Sequence, residues 1–180
     1  MTIDQLKKYA VRYAKNGLFP SVFAAQSILE TGVLGGGSEL ANKYNNLLGI
    51  KADSSWQGDT VRLKTAEYSG IAGWVNIYDE FRVYDSPEDS FADRVQFLVE
   101  NPRYTEVFEK ETPEAQAQAL QDSGYATDPE YADKLINVIE RYNLYELDKT
   151  KKNMRTANLT ILLAGAVILV AAIYLIIKQN

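Results

Sequence analysis

The chain of 180 residues contains no cysteine and no histidine. Without cysteine there is no disulfide and no thiolate nucleophile, and the redox compartment is left open. Without histidine the usual general base, the commonest metal ligand and any Ser-His-Asp triad are excluded. A catalytic zinc ion would lack its usual ligands. Any chemistry must therefore rest on carboxylates, tyrosines, amides or lysines, and no metal or cofactor is expected.

Acidic residues are missing from the C-terminal part. After position 148 come five basic residues, Lys149, Lys151, Lys152, Arg155 and Lys178, and no acidic one. Against a whole-chain formal charge of −5, this leaves about −10 on residues 1–148. So acidic a segment is a poor nucleic-acid binder, because phosphate contacts need Lys and Arg. Residues 159–177 carry no charge, a run of about 19 positions. As a helix that run is long enough to cross a hydrocarbon core of roughly 30 Å, and it has no polar face to mark it as an amphipathic core helix. The start, MTIDQLKKYA, lacks the apolar core of a signal peptide. The expected organisation is a domain over residues 1–148, a basic linker over 149–158 and a transmembrane helix over 159–177 that anchors the protein in a bilayer. Four basic residues precede that helix and one follows, which by the positive-inside rule puts the domain in the cytoplasm.

Within residues 1–148 the signals are mostly helical. Thr2 and Gln5 have the spacing of a capping box before an amphipathic helix over 3–16, stopped by Gly17. Pro20 suits the first turn of a second helix ending near Thr31 and Gly32. Gly35, Gly36 and Gly37 read as a turn, and Ser38 as the cap of a short helix to Tyr44. From Trp56 the texture changes to alternating, β-favouring stretches, WQGDTVRLKTAEY and GWVNIYDEFRVY, with Ser69, Gly70 and Gly73 between them. They predict a hairpin or a three-stranded flap. Ser86-Pro87-Glu88 opens a helix with Phe91, Val95, Leu98 and Val99 on one face, closed by Asn101-Pro102. Thr112-Pro113-Glu114 and Asp128-Pro129-Glu130 open two more by the same signal, and Gly124 closes the first of these. The fold class is α+β, a mostly helical domain with a small antiparallel β insertion.

The stretch AAQSILETGVLGGGSELANKYNNLLGIKA, residues 24–52, carries the most chemical information. It puts Glu30 at the end of a short apolar helix, before a glycine-rich turn. A carboxylate on so rigid a base, facing a flexible groove, is what a glycosidase general acid requires, and apolar surroundings raise its pKa. Gln26 and Ser27, four and three residues back, share its helix face.

The same stretch resembles the glucosaminidase family of peptidoglycan hydrolases, which includes flagellar muramidase-like domains and many autolysins. The resemblance rests on an ordered set: Ala25-Gln26, Glu30-Thr31-Gly32, and Asn45-Asn46-Leu47-Leu48-Gly49-Ile50-Lys51. Thr65-Ala66-Glu67-Tyr68 and Phe81-Arg82-Val83-Tyr84 follow. The last are Ser123-Gly124-Tyr125-Ala126-Thr127-Asp128-Pro129 and Tyr131-Ala132. The resemblance covers about residues 19–144, most of the domain. One departure is Val33-Leu34, where the family commonly has a Trp-Gly pair.

The resemblance implies a lysozyme-like fold and cleavage of peptidoglycan glycan strands at N-acetylglucosaminyl bonds. The family's catalytic acid falls on Glu30 and its second implicated carboxylate, on the β-flap, on Glu67. Asp59, Asp79 and Glu80 are rival partners for the acid, and assistance by the sugar's own N-acetyl group needs no second carboxylate. Tyr125 matches the family's groove tyrosine, and Trp74, Tyr131 and Tyr104 are further candidates for stacking on sugar rings. Gln26 joins the expected substrate-binding set. Asn46 either binds an acetamido group or caps a turn. Two other outcomes are open: a lytic transglycosylase, or an inactive wall-binding or assembly module. A cytoplasmic domain conflicts with a wall substrate. A virion whose membrane carries the enzyme to the wall during phage entry resolves the conflict, as does a late lysis protein or a specialised secretion route to the cell envelope. The expected partners are glycan strands, the bilayer, and other virion or wall-lysis proteins.

Overall fold

A computed structural model of the protein describes residues 1–32 and 36–149. The first helix, α1 (Ile3–Tyr13), starts in the expected capping box: the Thr2 side chain accepts from Gln5 N while Gln5 caps the Thr2 backbone. It ends three residues earlier than its periodicity suggests, because Asn16 and Gly17 both take positive φ. At Gly17 an added Cβ would lie 2.3 Å from the Phe108 carbonyl oxygen, so no larger residue fits there.

The second helix, α2 (Pro20–Thr31), is the centre of the domain. Ten of its twelve residues are buried, and it packs against α1, α6 (Pro113–Asp122) and α7 (Tyr131–Arg141). A helix apolar all round can survive in water only when surrounded by other elements. Gly32, in the left-handed conformation, ends it and donates to the Ile28 carbonyl. Helix α3 (Glu39–Tyr44) follows, capped by Ser38.

The β part is a two-stranded antiparallel hairpin of β1 (Thr60–Ser69) and β2 (Gly73–Arg82), with Glu67 opposite Val75 and Tyr68 opposite Trp74. In place of a third strand there is a single bridge between Lys51 and Phe81. It is flanked by hydrogen bonds from Ala52 N to Glu80 O and from Arg82 N to Ile50 O. Arg82 then fastens the hairpin base to α4 (Pro87–Glu100): its Nη1 donates to both carboxylate oxygens of Asp93 at 3.0 Å. The Tyr84 hydroxyl donates to the same carboxylate at 2.6 Å.

Helix α4 buries Phe91 and Leu98, but Val99 points to solvent, contrary to the expected face. The other buried positions of α4 are Ser90 and Arg94. Between α4 and α6 lie two elements that the sequence did not signal, a 3-10 turn (Pro102–Tyr104) and α5 (Thr105–Glu109). Helix α7 begins at Tyr131, not at Pro129, because Asp128 uses its carboxylate on Glu130 N in a turn of its own.

The expected transmembrane helix and most of its linker lie outside the described residues. Among the described residues no helix is long and apolar enough to cross a membrane.

Phe91 joins α4 to the rest of the core, with its ring 5.5 Å from Tyr9, 6.2 Å from Tyr13 and 5.2 Å from Phe23. Truncating it leaves a cavity lined by rings from α1 and α2. Phe91→Ala should destabilise the protein by about 3–5 kcal/mol, read as a lower urea midpoint with little change in slope.

Candidate active site

A groove of about 980 Å³ runs between the helices and the hairpin. Glu30, in the last turn of α2, stands on its floor. The residue is partly open to the groove, while its carboxyl is ringed by protein. Burial pushes its pKa up to about 7, with the nearby Glu67 adding to the rise and the Tyr131 hydrogen bond and Arg94 charge opposing it. Tyr131 Oη donates to Glu30 Oε1 at 3.1 Å.

The other oxygen, Oε2, faces the backbone of Gly49. A Cβ there would lie 3.0 Å from Oε2, and φ at Gly49 is +65°. Glycine is thus required twice, for the backbone angle and for clearance beside the acid.

Glu67, on β1, lines the same groove. Neither of its oxygens is idle. Oε1 pairs with Lys51 Nζ at 2.6 Å, and Oε2 accepts from Thr127 Oγ1 at 2.6 Å. Lys51 also pairs with Asp79 at 2.9 Å. Desolvation works against the Lys51 charge, but the two carboxylates outweigh it and its pKa is raised. Thr127 Oγ1 further accepts from Tyr68 N, so one threonine ties the hairpin to the helical side at two points. Of the rival partners, Asp79 serves Lys51, and Asp59, Asp79 and Glu80 are all absent from the groove lining.

Tyr125 lines the groove with its ring stacked 5.8 Å from that of Tyr131, and its hydroxyl donates to Leu48 O. Trp74 is half exposed at the rim, with Lys134 Nζ 5.5 Å over its ring. Tyr131 and Tyr104 also line the groove, but each is almost wholly buried and offers it only a small part of its surface.

Two expected substrate contacts are corrected. Gln26 is fully buried. Its Nε2 donates to Tyr131 Oη at 3.0 Å and its Oε1 accepts from Arg94. Asn46 is also fully buried. Its amide donates to Ile50 O and Arg82 O at 2.9 Å, and its oxygen accepts from Ile50 N at 3.1 Å. Asn46 is therefore the brace of the loop that carries Gly49, with no group left for an acetamido ligand. Val33 and Leu34 lie outside the described residues.

Lys51, Gly49 and Thr127 were in view as parts of motifs, without roles. Arg94 was not singled out at all. Its signal was available: positions 91, 94 and 98 fall on one helix face, which puts an arginine in an apolar stripe.

A helix-borne acid with raised pKa, in a groove between a helical lobe and a β-flap, defines a glycoside hydrolase. The chain belongs to the Glucosaminidase family, whose model, described as mannosyl-glycoprotein endo-beta-N-acetylglucosaminidase, matches residues 7–144. It is 41% identical to the peptidoglycan hydrolase FlgJ of Vibrio parahaemolyticus, over 77% of this chain and 46% of that protein. It is 37% identical to the exo-glucosaminidase LytG of Bacillus subtilis, over 87% and 56%. The chain thus spans about half the length of these curated relatives. Among solved structures, a peptidoglycan hydrolase mutant from Sphingomonas sp. A1 superposes with a TM-score of 0.71 at 37% identity. That match covers 81% of this chain and 95% of the other.

The raised Glu30 pKa fixes the sign of a stability effect. The folded value of about 7 lies above the ordinary 4.5. Its favourable contribution is fully present below 4.5 and is lost as pH rises through 7. Glu30→Gln should therefore gain stability over wild type above pH 7, by roughly 2 kcal/mol once groove water is allowed for. The difference should vanish near pH 4, as read by urea denaturation across pH. Gly49→Ala should abolish hydrolysis while most of the fold is kept, checked by circular dichroism beside a turbidity assay.

Proposed function

We propose that this protein is a peptidoglycan hydrolase that cuts glycan strands at N-acetylglucosaminyl bonds, with Glu30 as general acid. The observation that carries the reading is a single carboxyl, poised near neutrality, at the floor of a groove of about 980 Å³. An acid works best when its pKa lies near the working pH. In the reaction the Glu30 proton passes to the glycosidic oxygen. The bond from that oxygen to the anomeric carbon breaks, its electron pair stays with the leaving sugar, and an oxocarbenium-like centre develops. Glu67 faces that centre from the flap. Held by Lys51 and Thr127, it is better placed to stabilise positive charge than to deprotonate water, which favours assistance by the sugar's N-acetyl group. Similarity to FlgJ and LytG supports the wall as substrate.

The rest of the reading concerns the chain's surroundings. Residues 159–177 anchor the protein in a bilayer, with the basic linker at the headgroups, where each cation adds about 1 kcal/mol on an anionic surface. A membrane-bound virion enzyme that opens the wall during phage entry fits such an anchor; the bacterial cell envelope is the other setting. The charge-free run and the basic linker support the anchor.

Glu30→Gln should lower hydrolysis of purified walls by at least about 100-fold, with a thermal transition no lower than that of wild type. Full activity in that variant sinks the mechanism. Glu67→Gln should cost less, and an equal loss means that Glu67 activates water. Activity should survive EDTA, and loss with recovery on added zinc overturns a carboxylate-only scheme. Mass spectrometry of product ends should show reducing sugars; anhydro ends establish a lytic transglycosylase. The full-length protein should resist carbonate extraction from membranes, and release by carbonate or high salt removes the anchor.

A further inference from the structure

Three polar side chains lead inward from Glu30 to Arg94, and their order is chemically constrained. Arg94 is 1% exposed. Its guanidinium lies 4.6 Å over the Phe23 ring and 5.6 Å over the Tyr125 ring. Its Nε and Nη1 have no hydrogen-bond partner, and its Nη2 donates to Gln26 Oε1. Burial pulls its pKa down from the ordinary arginine value, and a guanidinium keeps its charge inside a protein.

Arginine can only donate. Its contact therefore fixes the Gln26 amide with the oxygen toward Arg94 and the NH2 toward Tyr131. That NH2 donates to Tyr131 Oη at 3.0 Å. A phenol has one hydrogen, and with its oxygen already accepting, that hydrogen must go to Glu30 Oε1, 3.1 Å away. Every donor in the chain points toward the carboxyl. Glu30 Oε1 is then always an acceptor, and the acid proton has one place left, Oε2, beside Gly49 in the groove.

We propose that Arg94 is a positioning residue: it sets the direction of the chain Arg94–Gln26–Tyr131–Glu30, so that the acid proton of Glu30 is carried on Oε2, facing the substrate. The proposal rests on Glu30 being the general acid. Without the guanidinium the Gln26 amide is free to turn over. Its oxygen then accepts from Tyr131, and Tyr131 in turn accepts from a proton on Glu30 Oε1. The acid is then protonated on its inner oxygen, turned away from the glycosidic bond. The chain acts on the ionised form too. As the proton leaves, the Tyr131 hydrogen bond stabilises the new carboxylate, so the chain makes a buried acid more willing to donate.

The groups facing Glu30 are Tyr131 from α7, Arg94 from α4, Glu67 from β1 and Tyr125 from the loop before α7. Removing Arg94 therefore subtracts both a directed hydrogen bond and a positive charge, and both changes favour the protonated form. A purely structural role predicts the opposite sign. A loosened core lets water in and returns Glu30 toward an ordinary glutamate.

The test is to titrate the Glu30 carboxyl carbon by NMR in the full-length protein, assigned by its loss in Glu30→Gln. The pH profile of wall hydrolysis is measured beside it. In Arg94→Met the titration midpoint should rise by about one unit. The alkaline limb of the rate profile should move up with it, and kcat on the acid plateau should fall by about 100-fold with KM little changed. Tyr131→Phe should raise the midpoint in the same direction. Arg94→Lys, which still only donates, should return most of both effects. If Arg94→Met does not fold, Gln26→Met breaks the chain at its middle and should raise the midpoint in the same direction but by less, because the Arg94 charge stays. A midpoint unchanged, or lowered, in the folded variants overturns the proposal. Undiminished wall hydrolysis by Glu30→Gln overturns the glycosidase reading instead, while the titrations still decide the chain.

Discussion

Taking a carboxylate out of water costs several kcal/mol, and this domain is built around a carboxyl held where that cost is felt. Glu30 can stay there because it can be neutral near pH 7. Each surrounding feature serves one side of this balance. The apolar sleeve of α2 keeps water from the helix below the acid. The hydrogen bond from Tyr131 and the charge of Arg94 stop desolvation from making the acid too weak to give up its proton. Glu67, on the other wall, pulls the other way. A pKa near 7 is the resultant of opposed terms, not the signature of any single neighbour.

The second wall of the groove is held differently. A two-stranded hairpin is marginal on its own, and this one relies on fastenings outside the strands. At its base Arg82 and Tyr84 converge on Asp93, and Asn46 ties the Gly49 loop to both Ile50 and Arg82. Near the tip, Thr127 receives Tyr68 N and donates to Glu67. Beyond that the tip is free, with Ile71 fully exposed. The hairpin is therefore stiff where it meets the acid and loose where it meets solvent.

Helix ends, caps and the hairpin were legible from local signals. Thr2 and Gln5, Ser38, Ser86 and Thr112 cap as their spacing indicates, because capping needs only neighbours in sequence. The position of Glu30 at the end of an apolar helix was legible for the same reason. What could not be read was which polar side chains are buried. Gln26 shares a helix face with Glu30, and sequence alone offers it equally to a ligand or to a partner 68 residues away. Asn46 could be read as a ligand group or as a turn cap, because a buried asparagine and an exposed one are written alike, and the second reading is the one found. The pairing of Arg94 with Gln26 depends on how α4 crosses α2, which no local pattern records. The 3-10 turn and α5 were missed because elements of 3 and 5 residues are too short for periodicity to show.

The near-total burial of α2 bears on how such a domain can change over generations. Ten positions in twelve face neighbours on every side, so almost any replacement there creates a void or a clash. The helix that holds the acid is closed to variation. Strand β1 alternates between exposed and partly covered positions, and the outer residues of the hairpin touch little. Substitutions there, along the open side of the groove, disturb less packing. Changes of specificity can therefore accumulate on the flap while Glu30 and its support are inherited unaltered.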